Sequence, residues 1–187
     1  MNRTQTTEIY QILSFLLHYP SQQMKDTLPV LRTEIESIED QQIKEDLQKF
    51  MEIAWNTPLG EWIDYYVEHF DFGRITNLYV TYLKLGEQRE RGLELLKLKK
   101  FYESAGFDVS DHELPDYLPL MLEFCAQVPV KKSNELLDMH AAAIKQIHGV
   151  LEESENYYVL LFHALLIHME NNGVQIPAEE EMKAATK

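Results

Sequence analysis

Cysteine is almost missing from this chain: 187 residues contain one, Cys125. A single thiol closes no internal disulfide and builds no cysteine-rich metal site. Cys125 falls on the apolar face of an expected helix, where a small core residue is the ordinary reading. Glycine and proline are sparse, seven of each, and they are not arranged as a phosphate-cradling loop or a nucleophile elbow. Positive charge is scarce too. Seventeen Lys and Arg stand against 31 Asp and Glu, for a net charge of −14. Affinity for nucleic acid depends on basic side chains displacing counterions, so nucleic acid is set aside as a partner. An acidic surface instead favours solubility and steers basic partners. Long hydrophobic runs are also missing: the longest uncharged apolar stretch, Tyr157 to Met169, carries two histidines and is too short for a bilayer. MNRTQTTEIYQ at the start is unlike a signal peptide. A cytoplasmic protein without direct membrane insertion is expected.

What is present is helical periodicity, with no convincing alternation at period two. Ile9, Ile12, Leu13, Leu16 and Leu17 form a stripe ending at Tyr19-Pro20. Met24, Leu28, Leu31, Ile35 and Ile38 form a second, with Pro29 expected to disturb its first turns. Ile43, Leu47, Phe50, Met51 and Ala54 form a third. Thr57 reads as an N-cap with Pro58 at the first helical position, followed by Leu59, Trp62, Ile63, Tyr66, Val67 and Phe70. The spacing resumes at Ile75, Leu78, Tyr79 and Tyr82, breaks near Gly86, and runs on through Leu95, Leu98 and Tyr102 to a stop at Gly106. Leu122 and Cys125 mark another helix. Ser133 and Ser154 read as caps of the last two. The expectation is one all-α domain over residues 1–171, a helical bundle of eight to nine helices, then a loosely held polar tail over 172–187.

Candidate chemistry is thin. His163 and His168 are five apart and His140 and His148 eight apart, whereas ligands on one helical face fall three or four apart. Structural histidines are the better reading, with His69 left open. No carboxylate pair has a context that separates two pKa values. Neither metal nor cofactor is expected, and the chain is not expected to be an enzyme. A small enzyme with a site assembled from dispersed residues is the competing class, and a helical adaptor another.

Aromatic residues crowd between Trp62 and Tyr82. Most sit on stripes, but Tyr65 and Tyr82 are hard to bury because each phenol needs a partner, and tyrosine suits recognition surfaces. The stretch HELPDYLP, 112–119, is the other outlier. Pro119 is tolerated in a first helical turn, Asp116 then reads as an N-cap, and Pro115 stiffens the approach. The same rigidity would hold Glu113, Asp116 and Tyr117 in a fixed geometry for a partner peptide.

FDFGRITNLYVTYLKLGEQRERGLELLKLKKFYESAGF and the following HELPDYLPLMLEF resemble the NarJ family, the assembly chaperones of respiratory nitrate reductase. The similarity is densest from Trp62 to Phe124. Its most specific pieces are GEQRERG, Gly86 to Gly92, and ELPDYLP, Glu113 to Pro119. The resemblance implies an all-helical, cofactor-free chaperone that binds the apo catalytic subunit of nitrate reductase, including its N-terminal segment, and holds it until the molybdenum cofactor is inserted. The cofactor delivery machinery is a further expected partner, and a monomer or weak homodimer the expected state. Molybdoenzyme chaperones in the wider group carry an Asp-His pair in this loop, implicated in binding leader peptides; here Asp116 matches and Tyr117 takes the histidine position. A leader-peptide chaperone for a dimethyl sulfoxide or trimethylamine oxide reductase is the alternative. The candidate partner-peptide residues are Tyr65, Arg74, Tyr82, Glu87, Arg89, Arg91, Glu113, Pro115, Asp116 and Tyr117. Arg89 and Arg91 read equally well as structural partners of Glu87 or Glu90 in an interhelical turn.

Overall fold

The computed structural model describes residues 3–72, 76–82, 89–108 and 112–178. Eight α-helices appear among them: α1 (Arg3–Leu17), α2 (Gln22–Glu36), α3 (Gln41–Asn56), α4 (Leu59–Tyr66), α5 (Arg89–Ser104), α6 (Leu118–Gln127), α7 (Val130–Glu153) and α8 (Val159–Asn171). The α4 helix runs on into a π turn, Val67–Asp71. This is the all-α bundle the stripes predict, and no helix among the described residues is long and apolar enough to cross a membrane.

Each stripe turns inward. Ile43, Leu47, Phe50, Met51 and Ala54 are all buried on α3, which packs against α8, while α1 packs along α6 and α7 lies beside α8. The α8 helix buries Leu161, Phe162, Ala164, Leu165, Leu166, His168 and Met169. A helix apolar on nearly every side belongs inside a bundle. Trp62 and Tyr158 are fully buried, and their polar atoms satisfy each other: the indole Nε1–H donates to the Tyr158 hydroxyl at 2.7 Å. Pro29 sits within α2 on its exposed side, and the helix continues past it.

Three cap assignments from the sequence are corrected. Thr57 closes α3, its N–H and hydroxyl both donating to the Ile53 carbonyl. Ser133 lies inside α7, because Pro129, with its fixed φ, starts that helix a turn earlier. Ser154 closes α7 by donating to the Val150 carbonyl. The hydroxyls bond back to carbonyls rather than forward to amides, so each marks an end and not a start. Gly106 does end α5, at φ 87°, a conformation glycine adopts without strain. Within the stretch from Asn172, expected to be loose, Val174 is buried and the Gln175 amide donates to Asp138.

His168 is buried on α8, its Nε2 3.2 Å from the Thr6 carbonyl and its ring edge-on to Tyr10 at 4.5 Å. Burial pushes its pKa down from 6.5 to about 4. The unfolded chain therefore binds this proton first, and stability present above pH 6.5 is lost as pH falls through 4, up to about 3 kcal/mol. Burial lowers His140 and His148 in the same direction. Urea unfolding followed from pH 7 to pH 4 is expected to show this loss, with His168→Gln flattening part of the slope; an unchanged slope in that variant would contradict the assignment.

Candidate functional site

The stretch from Thr76 to Thr81 was read as helix and is not one. Asn77 accepts the Tyr79 amide through its side chain at 2.8 Å, a local bond that competes with helix formation, and Thr76, Val80 and Thr81 are β-branched. The segment instead runs antiparallel to the ELPDYLP loop. Val80 N–H donates to the Asp116 carbonyl at 3.0 Å, and Leu118 N–H donates to the Leu78 carbonyl at 2.8 Å. Tyr79 and Tyr117 face each other in this short bridge, with ring centroids 5.2 Å apart.

Asp116 is not the N-cap. Tyr117 occupies that position and Leu118 begins α6. The Asp116 side chain points inward and is completely buried. Its Oδ2 accepts the Thr81 hydroxyl at 2.5 Å and the Thr81 amide at 3.3 Å. Arg91 Nη2, from α5, donates to the same oxygen at 3.2 Å. Arg91 Nε also donates to the Thr81 hydroxyl at 3.3 Å, and the guanidinium carbon lies 5.9 Å from the Tyr79 ring and 5.3 Å from that of Tyr82. The sequence favoured a cap because Asp before a helical run usually is one. A buried charge has the stronger demand, and a guanidinium with two hydroxyl-segment donors meets it.

Around this node lies a belt of aromatics, Tyr66 buried, Tyr79 and Tyr117 partly buried. Tyr79 donates its hydroxyl to Glu113 at 2.6 Å, and Glu113 also accepts the Leu114 amide. The Tyr117 and Tyr66 hydroxyls are 3.3 Å apart, and Tyr66 donates to the Leu17 carbonyl. His18 sits edge-on to Tyr117, and Tyr19, about half exposed, is edge-on to Tyr66. Burial, then the Glu113 bond, raises the Tyr79 pKa; burial raises those of Tyr66 and Tyr117. All three therefore keep their phenolic protons at neutral pH and can donate hydrogen bonds.

The structure brings together Tyr82, Arg91, Glu113, Pro115, Asp116 and Tyr117. Pro115 is buried, and its carbonyl accepts the Tyr102 hydroxyl at 2.8 Å, tying the loop to α5. Tyr65 lies elsewhere, stacked on Tyr157 at 4.4 Å and beside His69. Arg89 is exposed at the start of α5. Arg74 and Glu87 fall outside the described residues. Sequence reasoning missed Thr81, Tyr66 and His18. Nothing in their spacing distinguishes them, since they arrive from separate helices and loops. Cys125 is buried with its thiol pKa raised by burial, and among the described residues no three His, Cys, Asp or Glu side chains converge as metal ligands. A separate open groove of about 650 Å³ lies between α2 and α3, lined by Leu28, Pro29, Arg32, Met51, Glu52 and Trp55.

Fold and site together define an all-helical protein in which several tyrosines are built over a buried ion pair. The chain belongs to the nitrate reductase delta subunit family, which it matches over residues 36–164. It is 40% identical over 184 residues to the probable nitrate reductase molybdenum cofactor assembly chaperone NarJ of Bacillus subtilis, covering 98% of this chain and all of that protein. The NarJ of Escherichia coli K12 is 39% identical over 101 residues, 54% of this chain and 43% of that one. The probable chaperone NarW of the same strain is 30% identical over 163 residues, covering 85% and 67%. These relatives are named as assembly chaperones, not catalysts.

Breaking a buried ion pair from one side leaves the other charge without its partner, which typically costs about 3–5 kcal/mol. Asp116→Asn is expected to destabilise the protein on that scale, well beyond the ~1 kcal/mol of a lost cap. Chemical denaturation measures it. A stability within a few tenths of a kcal/mol of wild type would contradict the ion-pair role.

Proposed function

We propose that this protein is the assembly chaperone of a respiratory nitrate reductase. It binds the apo catalytic subunit, including its N-terminal segment, in the cytoplasm, holds it competent for molybdenum cofactor insertion, and is absent from the finished enzyme. The observation that carries the reading is the belt of Tyr79, Tyr82 and Tyr117, partly buried rings beside Glu113 on a fixed loop. Large amphipathic rings that lose little entropy on binding suit a peptide, and a nearby carboxylate suits a basic one. The near full-length similarity to a probable NarJ chaperone supports nitrate reductase as the partner.

No catalytic group is required. A chaperone acts by binding the immature conformation more tightly than the mature one, since only differential affinity shifts the equilibrium. The net charge of −14 adds long-range attraction for a basic segment, which salt weakens. Delivery proteins for the cofactor meet the complex of this chain with the catalytic subunit. A monomer or weak homodimer suits that role.

Purification of the tagged protein from cells grown anaerobically on nitrate is expected to bring down the catalytic subunit, and its absence would sink the proposal. Calorimetry with a synthetic copy of the subunit's first ~15–20 residues locates the contact. Tyr117→Ala is expected to weaken binding by about 1–3 kcal/mol and Tyr117→Phe by less, because ring area is the larger share of a tyrosine hot spot. Trp55→Ala should leave binding unchanged. Loss with Trp55→Ala but not with Tyr117→Ala would move the peptide to the groove between α2 and α3.

A further inference from the structure

We propose that the pocket over Asp116 is a guanidinium-binding site which the protein closes with its own Arg91, and that an arginine of the bound segment takes Arg91's place. The pocket has the parts such a ligand needs. Asp116 supplies a carboxylate with no exposure to water, and Thr81 fixes its orientation through two hydrogen bonds. Tyr79 and Tyr82 supply aromatic faces within 6 Å of the guanidinium carbon, close enough for cation–π attraction. A planar cation with forked donors matches this set, and an ammonium does not match it equally.

The closing group sits on an element that can leave. In α5 only Leu98 and Tyr102 are buried, both in its second half. Tyr102 holds that half through the Pro115 carbonyl and through its ring, 4.7 Å from Phe124, with Phe101 5.9 Å from the same ring. From Arg89 to Lys97 no residue is buried, Leu93 and Leu96 are about half exposed, and Arg91 is the side chain that reaches the protein interior through a described hydrogen bond. Among the described residues few buried side chains hold this half, so opening it costs chiefly the Arg91–Asp116 contact. Lifting the first half of α5 about its anchored second half would withdraw Arg91 and present Asp116, Tyr79 and Tyr82 to an incoming arginine. While Arg91 occupies the pocket, the apparent affinity for that arginine is reduced by the fraction of molecules that are open.

The proposal relies on the chaperone reading only for the source of the arginine, so the test has one arm that needs no partner. In Arg91→Met, millimolar methylguanidinium is expected to raise the melting temperature saturably, methylammonium is not, and adding Asp116→Asn should abolish the effect. In the second arm, calorimetry with an arginine-containing copy of the catalytic subunit's N-terminal segment compares wild type, Arg91→Lys and Arg91→Met. Arg91→Met should bind about tenfold tighter than wild type, with Arg91→Lys between them, and the gain should vanish when citrulline replaces the peptide's arginines. If Arg91→Met is unfolded at the assay temperature, Arg91→Lys against wild type decides. Equal effects of methylguanidinium and methylammonium, or folded variants that bind the peptide no better than wild type, would overturn the proposal and leave Arg91 a structural partner. A peptide that binds none of the proteins, with methylguanidinium still stabilising Arg91→Met, would keep the pocket and discard the peptide reading.

Discussion

A carboxylate without any exposure to water needs donors wherever the chain places it, and Asp116 obtains them from two other segments. Thr81 comes from the stretch joined to the ELPDYLP loop by a short antiparallel bridge, and Arg91 comes from α5. None of these pieces is held by deep apolar burial alone. The segment 78–80 contributes Leu78 and Val80 to the core and α5 contributes Leu98 and Tyr102. One ionic contact therefore sets how a loop, a bridge and a helix lie against the bundle. Such pairs seldom add much net stability over an apolar replacement, because desolvation offsets the attraction, but they discriminate strongly among arrangements.

The tyrosine belt inherits its geometry from that node. Tyr79 and Tyr117 are held opposite each other by the same backbone bonds that carry Asp116 inward, and the Tyr66 hydroxyl connects Tyr117 to the end of α1. Beneath them the bundle is conventional: α8 is surrounded, α3 and α7 cover it, and Trp62 and Tyr158 satisfy each other in the interior. The rigid interior and the ionic node together hold these aromatic groups in a fixed geometry, and groups so fixed lose little entropy in any contact they make.

Helical stripes made most of this architecture legible in the sequence, because a 3.6-residue period reports directly on which face is buried. The stripes of α1, α3 and α8 appear in the core as expected. Reading failed where local chemistry and tertiary demand diverged. Thr57, Ser133 and Ser154 look like helix starts, yet bond backward to carbonyls. Leu78 and Tyr79 fit a helix by spacing, but Asn77 and the β-branched neighbours favour an extended bridge there. Asp116 carries the signature of a cap, and only the arrival of Arg91 from 25 residues upstream gives it a different partner. The loop itself was visible as unusual from its two prolines; its inward-facing charge was not. Family resemblance, through GEQRERG and ELPDYLP, pointed to the same two segments that the ion pair joins.

The central claim is that the partner is met at the surface organised by Asp116. Hydrogen exchange of the wild-type protein, followed by mass spectrometry with and without the apo catalytic subunit, tests it without altering a residue. The account predicts that bound subunit slows exchange in peptides covering 76–82 and 113–121 while leaving those of α2 and α3 near their free rates. Protection confined to residues 22–56, with the bridge and the ELPDYLP loop exchanging as in the free protein, would contradict it.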